Sequence, residues 1–285
     1  MSILVLGFDT EGDRPSESKG DVNERIKESL SAVSLITTIL NEHQAPATFF
    51  ILGRLLHCAG DEYQKLLAQQ KNFDIESHTY SHRPLKPPGG LSLAELDDEV
   101  RQTKKLIEKF FGIEAIGVRG PGGLYKGLQG HPDRLKILWD NGIRFLSSDG
   151  VGPPEAIMPA PFTQSYWYKK EGFPNLLELP ITGWHCTYLL RTIGGSQYWN
   201  KVGFPTGEVL RELPKTVDEQ ISVRQKEFQY AIDNDLVYSP ALHPWSIYRF
   251  DKKLRCLRFL IQMAKDNNVP IKNLKDYYLV CRKKA

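Results

Sequence analysis

The stretch NFDIESHTYSH, residues 72–82, joins a predicted β-strand to two histidines, His78 and His82, that stand four residues apart. Its first half has the length and composition of a strand, and polar side chains follow directly. Two imidazoles at this spacing lie on one face of a helical turn and can reach a single metal ion. The same spacing also occurs at ordinary surface and core positions, so the surrounding fold decides which interpretation applies.

Runs of this kind alternate along the chain with amphipathic helical patterns. The clearest helical pattern has Ser92 as its predicted N-cap and Gly112 as its predicted C-cap. Strands that alternate with helices favour a parallel sheet with helices outside, in a closed β/α barrel or, alternatively, in an open doubly wound sheet. The seven predicted strands begin at residues 3, 47, 72, 116, 143, 176 and 236. The predicted helices span residues 22–41, 62–70, 92–111, 132–141, 217–234 and 252–267.

The composition is ordinary for a globular domain of 285 residues, with 41% hydrophobic and 25% charged residues. A net charge of +3 is too small to indicate a nucleic-acid partner. The four cysteines are scattered and form no C-x-x-C pair, which argues against zinc-finger and thioredoxin motifs and favours free thiols in a reducing compartment. We therefore predict one domain over residues 1–285 and no nucleic-acid partner, with the oligomeric state left open.

The apolar run at the N-terminus lacks the basic segment and the cleavage site of a signal peptide, and we interpret it as a strand. No stretch has the roughly 18 apolar residues that a membrane helix needs. These features predict a cytoplasmic protein without a membrane span. Residues 183–215 contain Gly, Trp, Tyr and Pro with little periodicity, which is typical of a functional loop, and we predict a substrate loop there.

Ionisable residues follow the predicted strands at the points where the strands end. The carboxyl ends of parallel strands lie on one face, which carries the active site in barrels and open sheets alike, so we expect these side chains to converge. Two histidines and a carboxylate from Asp9 or Glu11 would leave metal positions open for water and substrate, as a catalytic site requires. The converging residues are Asp9, Glu11, His78, His82, Arg119, Asp149 and His243.

Four motifs in this order, FDTEGD, HTYSH, RGPGG and ALHPW, resemble those of the polysaccharide deacetylase family with NodB homology, also called carbohydrate esterase family four. They extend from residue 8 to residue 245. The resemblance implies a distorted seven-stranded (β/α) barrel and a divalent metal, often zinc. It also implies hydrolysis of an N-acyl group, usually acetyl, on an amino sugar or glycan precursor.

Carried onto this sequence, the resemblance implies a role for each matching residue. Asp9 is similar to the catalytic base, Arg119 to the residue that holds this base, and His243 to the general acid. Asp149 is the candidate for the weaker fourth motif of the family. The implied metal ligands are Glu11, His78 and His82. Substrate-binding candidates are the turn residues Gly122 and Gly123 and the aromatic residues Trp184 and Trp245, which could wall a sugar ring.

The chain departs from the family pattern in its first and third motifs. Many members have two adjacent aspartates in the first motif, whereas Thr10 separates Asp9 from Glu11 here, and Asp13 is an alternative carboxylate ligand to Glu11. Gly122 stands where the third motif often has a bulky residue.

These departures leave the substrate open. A close enzymatic alternative is an allantoinase-like hydrolase of a small ureide, which can lack a metal. The alternative from another class is a catalytically silent carbohydrate-binding barrel. His185, which follows the sixth predicted strand, receives no role.

Overall fold

Seven parallel strands form the main sheet of the computed structural model, which describes residues 1–12, 22–68, 70–152, 158–190, 210 and 212–284. Their order across the sheet is β10, β2, β3, β4, β5, β6, β8, and a short antiparallel strand, β7, extends the edge beside β8. The predicted α/β class with a parallel sheet is therefore confirmed. The strands are β2 (Gly7–Thr10), β3 (Ala47–Ile51), β4 (Phe73–Ser77), β5 (Gly117–Leu124), β6 (Phe145–Asp149), β7 (Tyr166–Tyr168), β8 (Phe173–Glu178) and β10 (Ala241–Leu242).

A second, three-stranded parallel sheet continues two of these strands backwards. It consists of β1 (Ile3–Val5) between β9 (Val237–Tyr238) and β11 (Ile271–Lys272). Beyond β8, the Thr182 N–H donates to the Ser239 carbonyl (2.9 Å), and the Ser239 N–H donates to Thr182 Oγ1 (2.8 Å). These two bonds join the segment after β8 to the segment between β9 and β10, which lies on the far side of the strand order.

All six predicted helices are present, and their ends follow the expected local chemistry. The Ser92 hydroxyl accepts the Glu95 N–H while the Glu95 carboxylate accepts the Ser92 N–H, and Gly112 ends this helix with φ of 66°. The described helices are α1 (Val22–His43), α2 (Gly53–Leu67), α3 (Leu93–Phe111), α4 (Pro132–Asp140), α5 (Cys186–Leu189), α6 (Val217–Asp233), α7 (Pro244–Phe250), α8 (Arg255–Asp266) and α9 (Leu274–Lys284). None of them combines the length and the hydrophobicity that a bilayer span requires.

Helix α2 begins at Gly53, well before the predicted start at residue 62. Ala59 lies in the middle of it with φ of −144°, which kinks the helix. The buried residues keep the helical spacing across the kink, so the prediction began this helix too late; they include Leu55, Leu56, Ala59, Gly60, Tyr63 and Leu67.

Helix α9 fills the inner side of the sheet, opposite the layer of outer helices. Phe49 packs in the outer core, whereas its neighbour Phe50 points inward to the cluster that contains Leu274 and Tyr278. The Leu274 N–H donates to Thr48 Oγ1 (2.9 Å) near the amino end of β3. Helix α9 therefore closes the amino ends of the strands and leaves their carboxyl ends for a site.

We expect Leu274→Ala to lower the free energy of unfolding by about 2–5 kcal/mol, because it removes a side chain with no exposed area from the inner cluster. The matched control is Leu279→Ala on the same helix, where the leucine is 40% exposed and the change should stay within about 0.5 kcal/mol. Urea denaturation of both variants measures the difference. Equal effects would contradict the inward packing of α9.

Candidate active site

A buried ion pair links β2 to β5, although β3 and β4 lie between these two strands in the sheet. Asp9, near the end of β2, is 4% exposed, and Arg119 on β5 is fully buried. Arg119 Nε lies 3.0 Å from Asp9 Oδ1, but the N–H does not point at this oxygen well enough for a hydrogen bond. The attraction between the two charges therefore holds the pair together. On its other sides the guanidinium donates to Ser147 Oγ (2.8 Å) and stacks 4.6 Å from the centre of the Phe50 ring.

The charge of Arg119 determines the protonation state of Asp9. Burial alone would raise the pKa of this carboxyl, but the Arg119 guanidinium, with smaller contributions from His78 and His243, holds the pKa below its ordinary value. Asp9 therefore remains an ionised carboxylate in a site that excludes most water.

Glu11, His78 and His82 meet beside this pair. His78 Nε2 lies 3.2 Å and His82 Nε2 2.7 Å from the same oxygen, Glu11 Oε1. Burial would raise the pKa of Glu11, but His82 and His243 hold it well below its usual range. His78 and Glu11 are each 1% exposed, whereas His82 is partly open to solvent. The end of β2 and the turn after β4 thus bring three possible metal ligands to one point.

A hydrogen bond behind His78 fixes how this imidazole faces Glu11. His78 Nδ1 lies 3.0 Å from the Arg119 carbonyl, which can only accept, so Nδ1 carries the proton. Nε2 is then the ring nitrogen that faces Glu11 Oε1, 3.2 Å away, on the side where a metal ion would bind. This arrangement fits a metal ligand set.

The spacing of the three donors fits a divalent metal as well. Their ligand atoms all lie within 4.8 Å of one another. Bonds of about 2.0–2.2 Å in a tetrahedral zinc site place two ligand atoms about 3.3 Å apart. Two histidines and one carboxylate leave at least one further position open. Asp13, the alternative carboxylate, lies outside the described residues.

His243 faces the same point from the end of β10. Its Nε2 lies 3.5 Å from Glu11 Oε1 and 3.8 Å from Asp9 Oδ2. Behind the ring, Nδ1 lies 3.3 Å from Cys186 Sγ, and the His243 backbone N–H also donates to this sulfur (3.1 Å). Burial lowers the pKa of His243, but Cys186 and Glu11 outweigh burial and raise it well above the ordinary value. His243 is therefore charged at neutral pH.

Cys186 is the residue at this site that sequence reasoning missed. It lies 57 positions before His243, in a segment without periodicity, and its thiol is one of the four that the sequence predicts to be free. No local signal in the chain links a lone cysteine to a distant histidine. The contact arises only from the packing of α5 against the end of β10.

Asp149 lies at the end of β6, as predicted, but in a second polar cluster. Its carboxylate accepts the Lys126 N–H (3.1 Å) and the Tyr166 hydroxyl (3.2 Å). Burial, and then the nearby Glu178 carboxylate, raise the pKa of Asp149 to about 7. The residue behind His243 is Cys186, and a catalytic role for Asp149 stays a prediction.

The candidate substrate-binding residues divide into two groups. Gly122 and Gly123 have φ of 76° and 70°, which would strain any other residue there, and a Cβ on Gly123 would lie 3.1 Å from His185 Cε1. Trp245 is half-buried, with its ring centre 6.4 Å from that of His243. Trp184, in contrast, is 5% exposed and packs in the outer core.

His185 is held as a neutral imidazole. Its Nε2 lies 2.8 Å from the Gly150 carbonyl and must carry the proton. Burial, and then the charge of His243, lower its pKa to about 3. The predicted substrate loop continues from here, but residues 191–209 and 211 lie outside the described residues.

The fold and the site define the chain as an α/β protein with a candidate metal centre at the carboxyl ends of its strands. Residues 29–130 match the model of the family described as polysaccharide deacetylase, a segment that includes His78, His82 and Arg119. No curated protein sequence matches the chain. The predicted resemblance to the polysaccharide deacetylase superfamily with NodB homology is confirmed by this family match and by the fold.

Solved structures share the fold over nearly the whole chain at low sequence identity. A structure assigned to a polysaccharide deacetylase from Mycobacterium smegmatis has a TM-score of 0.74 at 17% identity and covers 99% of this chain and 91% of its own. Another, from Pseudomonas aeruginosa PAO1, has a TM-score of 0.66 at 14% identity, with 97% and 89% covered. The structure of Puue allantoinase has a TM-score of 0.65 at 17% identity, with 97% and 88% covered.

Asp149→Asn should change how stability depends on pH. Between the ordinary value of 3.8 and about 7, folded Asp149 keeps a proton that the unfolded chain has released, so stability falls as pH rises through this window. Asparagine cannot ionise. Raising the pH from 4 to 8 should therefore lower the free energy of unfolding of the native protein by about 1–4 kcal/mol more than that of the variant. Urea denaturation at both pH values measures this difference.

The control for this experiment is Asp133→Asn, because Asp133 is exposed on α4. Its stability should follow that of the native protein at every pH. Parallel curves for Asp149→Asn and the native protein would contradict the raised pKa.

Proposed function

We propose that this protein is a metal-dependent hydrolase that removes an N-acyl group, acetyl in the first instance, from an amino sugar or glycan precursor. The observation that carries the proposal is the placement of Asp9. Arg119 keeps this carboxylate ionised beside the cluster of Glu11, His78 and His82. The same buried site therefore offers a metal ligand set and, separate from it, a carboxylate that can act as a base. Carbohydrate binding alone requires neither.

Glu11, His78 and His82 would hold the metal, and their mixed nitrogen and oxygen donors suit zinc. A bound divalent metal supplies Lewis acidity that polarises a water molecule and an amide carbonyl. The Arg119 carbonyl supports this set because it orients the His78 ring.

Asp9 acts as the general base and accepts the proton of the attacking water at its carboxylate. Arg119 makes this possible in two ways, because its charge keeps Asp9 ionised and its position on β5 keeps the carboxylate in place. A backbone N–H of the turn at residues 120–123 would stabilise negative charge on the carbonyl oxygen as it develops.

His243 acts as the general acid and donates a proton from Nε2 to the leaving nitrogen. Its Nε2 lies within 4 Å of both Asp9 and Glu11, so acid and base border the same space. Cys186 and Glu11 raise the pKa of His243 while Arg119 lowers that of Asp9, which separates the two groups into an acid and a base at one pH. Trp245 stands beside His243 and would wall the sugar ring.

The metal content of the purified protein tests the ligand set. We expect about one zinc or similar divalent metal per chain in the native protein and none in His78→Ala/His82→Ala, which removes two of three ligands. The control is His57→Ala, since His57 is exposed on α2 and its loss should leave the metal in place. Absence of metal from the native protein, even after supplementation, would contradict the proposal and favour the metal-free ureide hydrolase or the silent barrel.

Asp9→Asn should lower kcat on an N-acetylated amino sugar by at least about 100-fold while metal content is unchanged, because asparagine cannot accept the proton. Asp133→Asn is the control on the surface, where no loss is expected. Acetate release from a panel of acylated amino sugars, run beside a small ureide, gives the rates. Near-normal turnover by Asp9→Asn would refute the role of the base, and turnover of the ureide alone would identify the alternative substrate class.

A further inference from the structure

The turn that carries His78 and His82 has an unusual backbone. Thr79 has φ of 62° and His82 has φ of 66°, both in the left-handed region. Residues with a Cβ avoid this region, and β-branched threonine avoids it most strongly. The turn cannot hold this conformation by local preference, so its surroundings must hold it.

Some of the support comes from the turn itself and from α2. Ser77 Oγ accepts the Thr79 N–H (3.1 Å), and Thr79 Oγ1 accepts the His82 N–H (3.3 Å). At the start of α2, the Gly53 N–H donates to the Thr79 carbonyl (2.9 Å), and the Arg54 N–H donates to the Tyr80 carbonyl (3.1 Å). These bonds provide donors for the Thr79 and Tyr80 carbonyls. The N–H groups of Tyr80 and Ser81 still need an acceptor.

That acceptor is Glu99, which reaches the turn from α3. One oxygen of its carboxylate accepts both the Tyr80 N–H and the Ser81 N–H, each at 3.1 Å. The other oxygen accepts the Ser81 hydroxyl in a short hydrogen bond. All three donors belong to Tyr80 and Ser81, the residues midway between the two histidines.

Glu99 occupies an unexpected place on its helix. It is buried, at 9% exposure, on the same stripe of α3 as the apolar core residues Leu96 and Val100. An apolar side chain there would extend the stripe, whereas a buried carboxylate is unfavourable unless it is fully hydrogen-bonded. The hydrogen bonds that satisfy it all lead to the turn of the histidines.

We infer that Glu99 is a positioning residue for the metal-ligand pair. It clamps Tyr80 and Ser81 so that the imidazoles of His78 and His82, whose ring centres lie 4.9 Å apart, both face Glu11. The inference rests on the proposed metal site. Groups that orient metal ligands from behind contribute about 10- to 100-fold to metal affinity.

The test is the zinc affinity of the folded apoprotein, measured by competition with a chromophoric chelator. Glu99→Leu keeps much of the bulk of the side chain but offers no acceptor to the three donors, so we expect zinc to bind about 10- to 100-fold more weakly. Ser81→Ala removes one of the three donors and should weaken zinc binding by a smaller factor. Glu108→Gln, an exposed glutamate on the same helix, should bind zinc like the native protein.

A thermal melt of each apoprotein separates positioning from ordinary stabilisation. If Glu99→Leu melts at a lower temperature but its folded form binds zinc with native affinity, Glu99 is only structural and the inference is overturned. If Glu99→Leu does not fold, the affinity of Ser81→Ala decides, and native affinity there overturns the inference. If the native protein binds no zinc, the proposed metal site itself is wrong. Native zinc affinity in the variant would instead leave the metal site in place and contradict only the role of Glu99.

Discussion

The fully buried guanidinium of Arg119 is the constraint on which the rest of the site depends. A charge without contact to water must have an opposite charge beside it, and Asp9 supplies one. The same residue orients His78 through its carbonyl, so one position on β5 aligns both the base and a metal ligand. Even the strand that carries Asp9 is shaped by it, because a Cβ on Gly7 would lie 2.6 Å from Arg119 Nη2. Any side chain at position 7 would push the guanidinium away from the carboxylate.

Two ends of one sheet serve opposite purposes. At the amino ends of the strands, Leu274 and Tyr278 of α9 cover the inner side of the sheet with apolar surface and exclude water. At the carboxyl ends, charged groups replace apolar ones, and each has an opposite charge beside it: Asp9 has Arg119, and His243 has Glu11. The low dielectric produced at one end strengthens the electrostatic interactions at the other.

Sequence reasoning located the strands and most of the converging residues because these are encoded locally. Each strand is a short apolar run, and each candidate side chain follows its run directly. What it missed depends on contacts between distant segments. Glu99 looks like one more charge on an amphipathic helix, and only the fold shows that it faces the histidine turn. The short helices α5 and α7 and the strand β11 have too few residues to show a period, and α9 lies beyond the last motif.

The pairing of β1 has a consequence for how the molecule is made. Leu4 pairs with Ile271 on one side and Tyr238 on the other, so β1 leaves the ribosome long before either strand that it pairs with. Leu274, which completes the inner cluster, emerges later still. The carboxylates of Asp9 and Glu11 are likewise synthesised well before Arg119 and His243, which lie beside them in the fold. Until then, a nascent chain presents an open sheet whose acidic strand end is still in water.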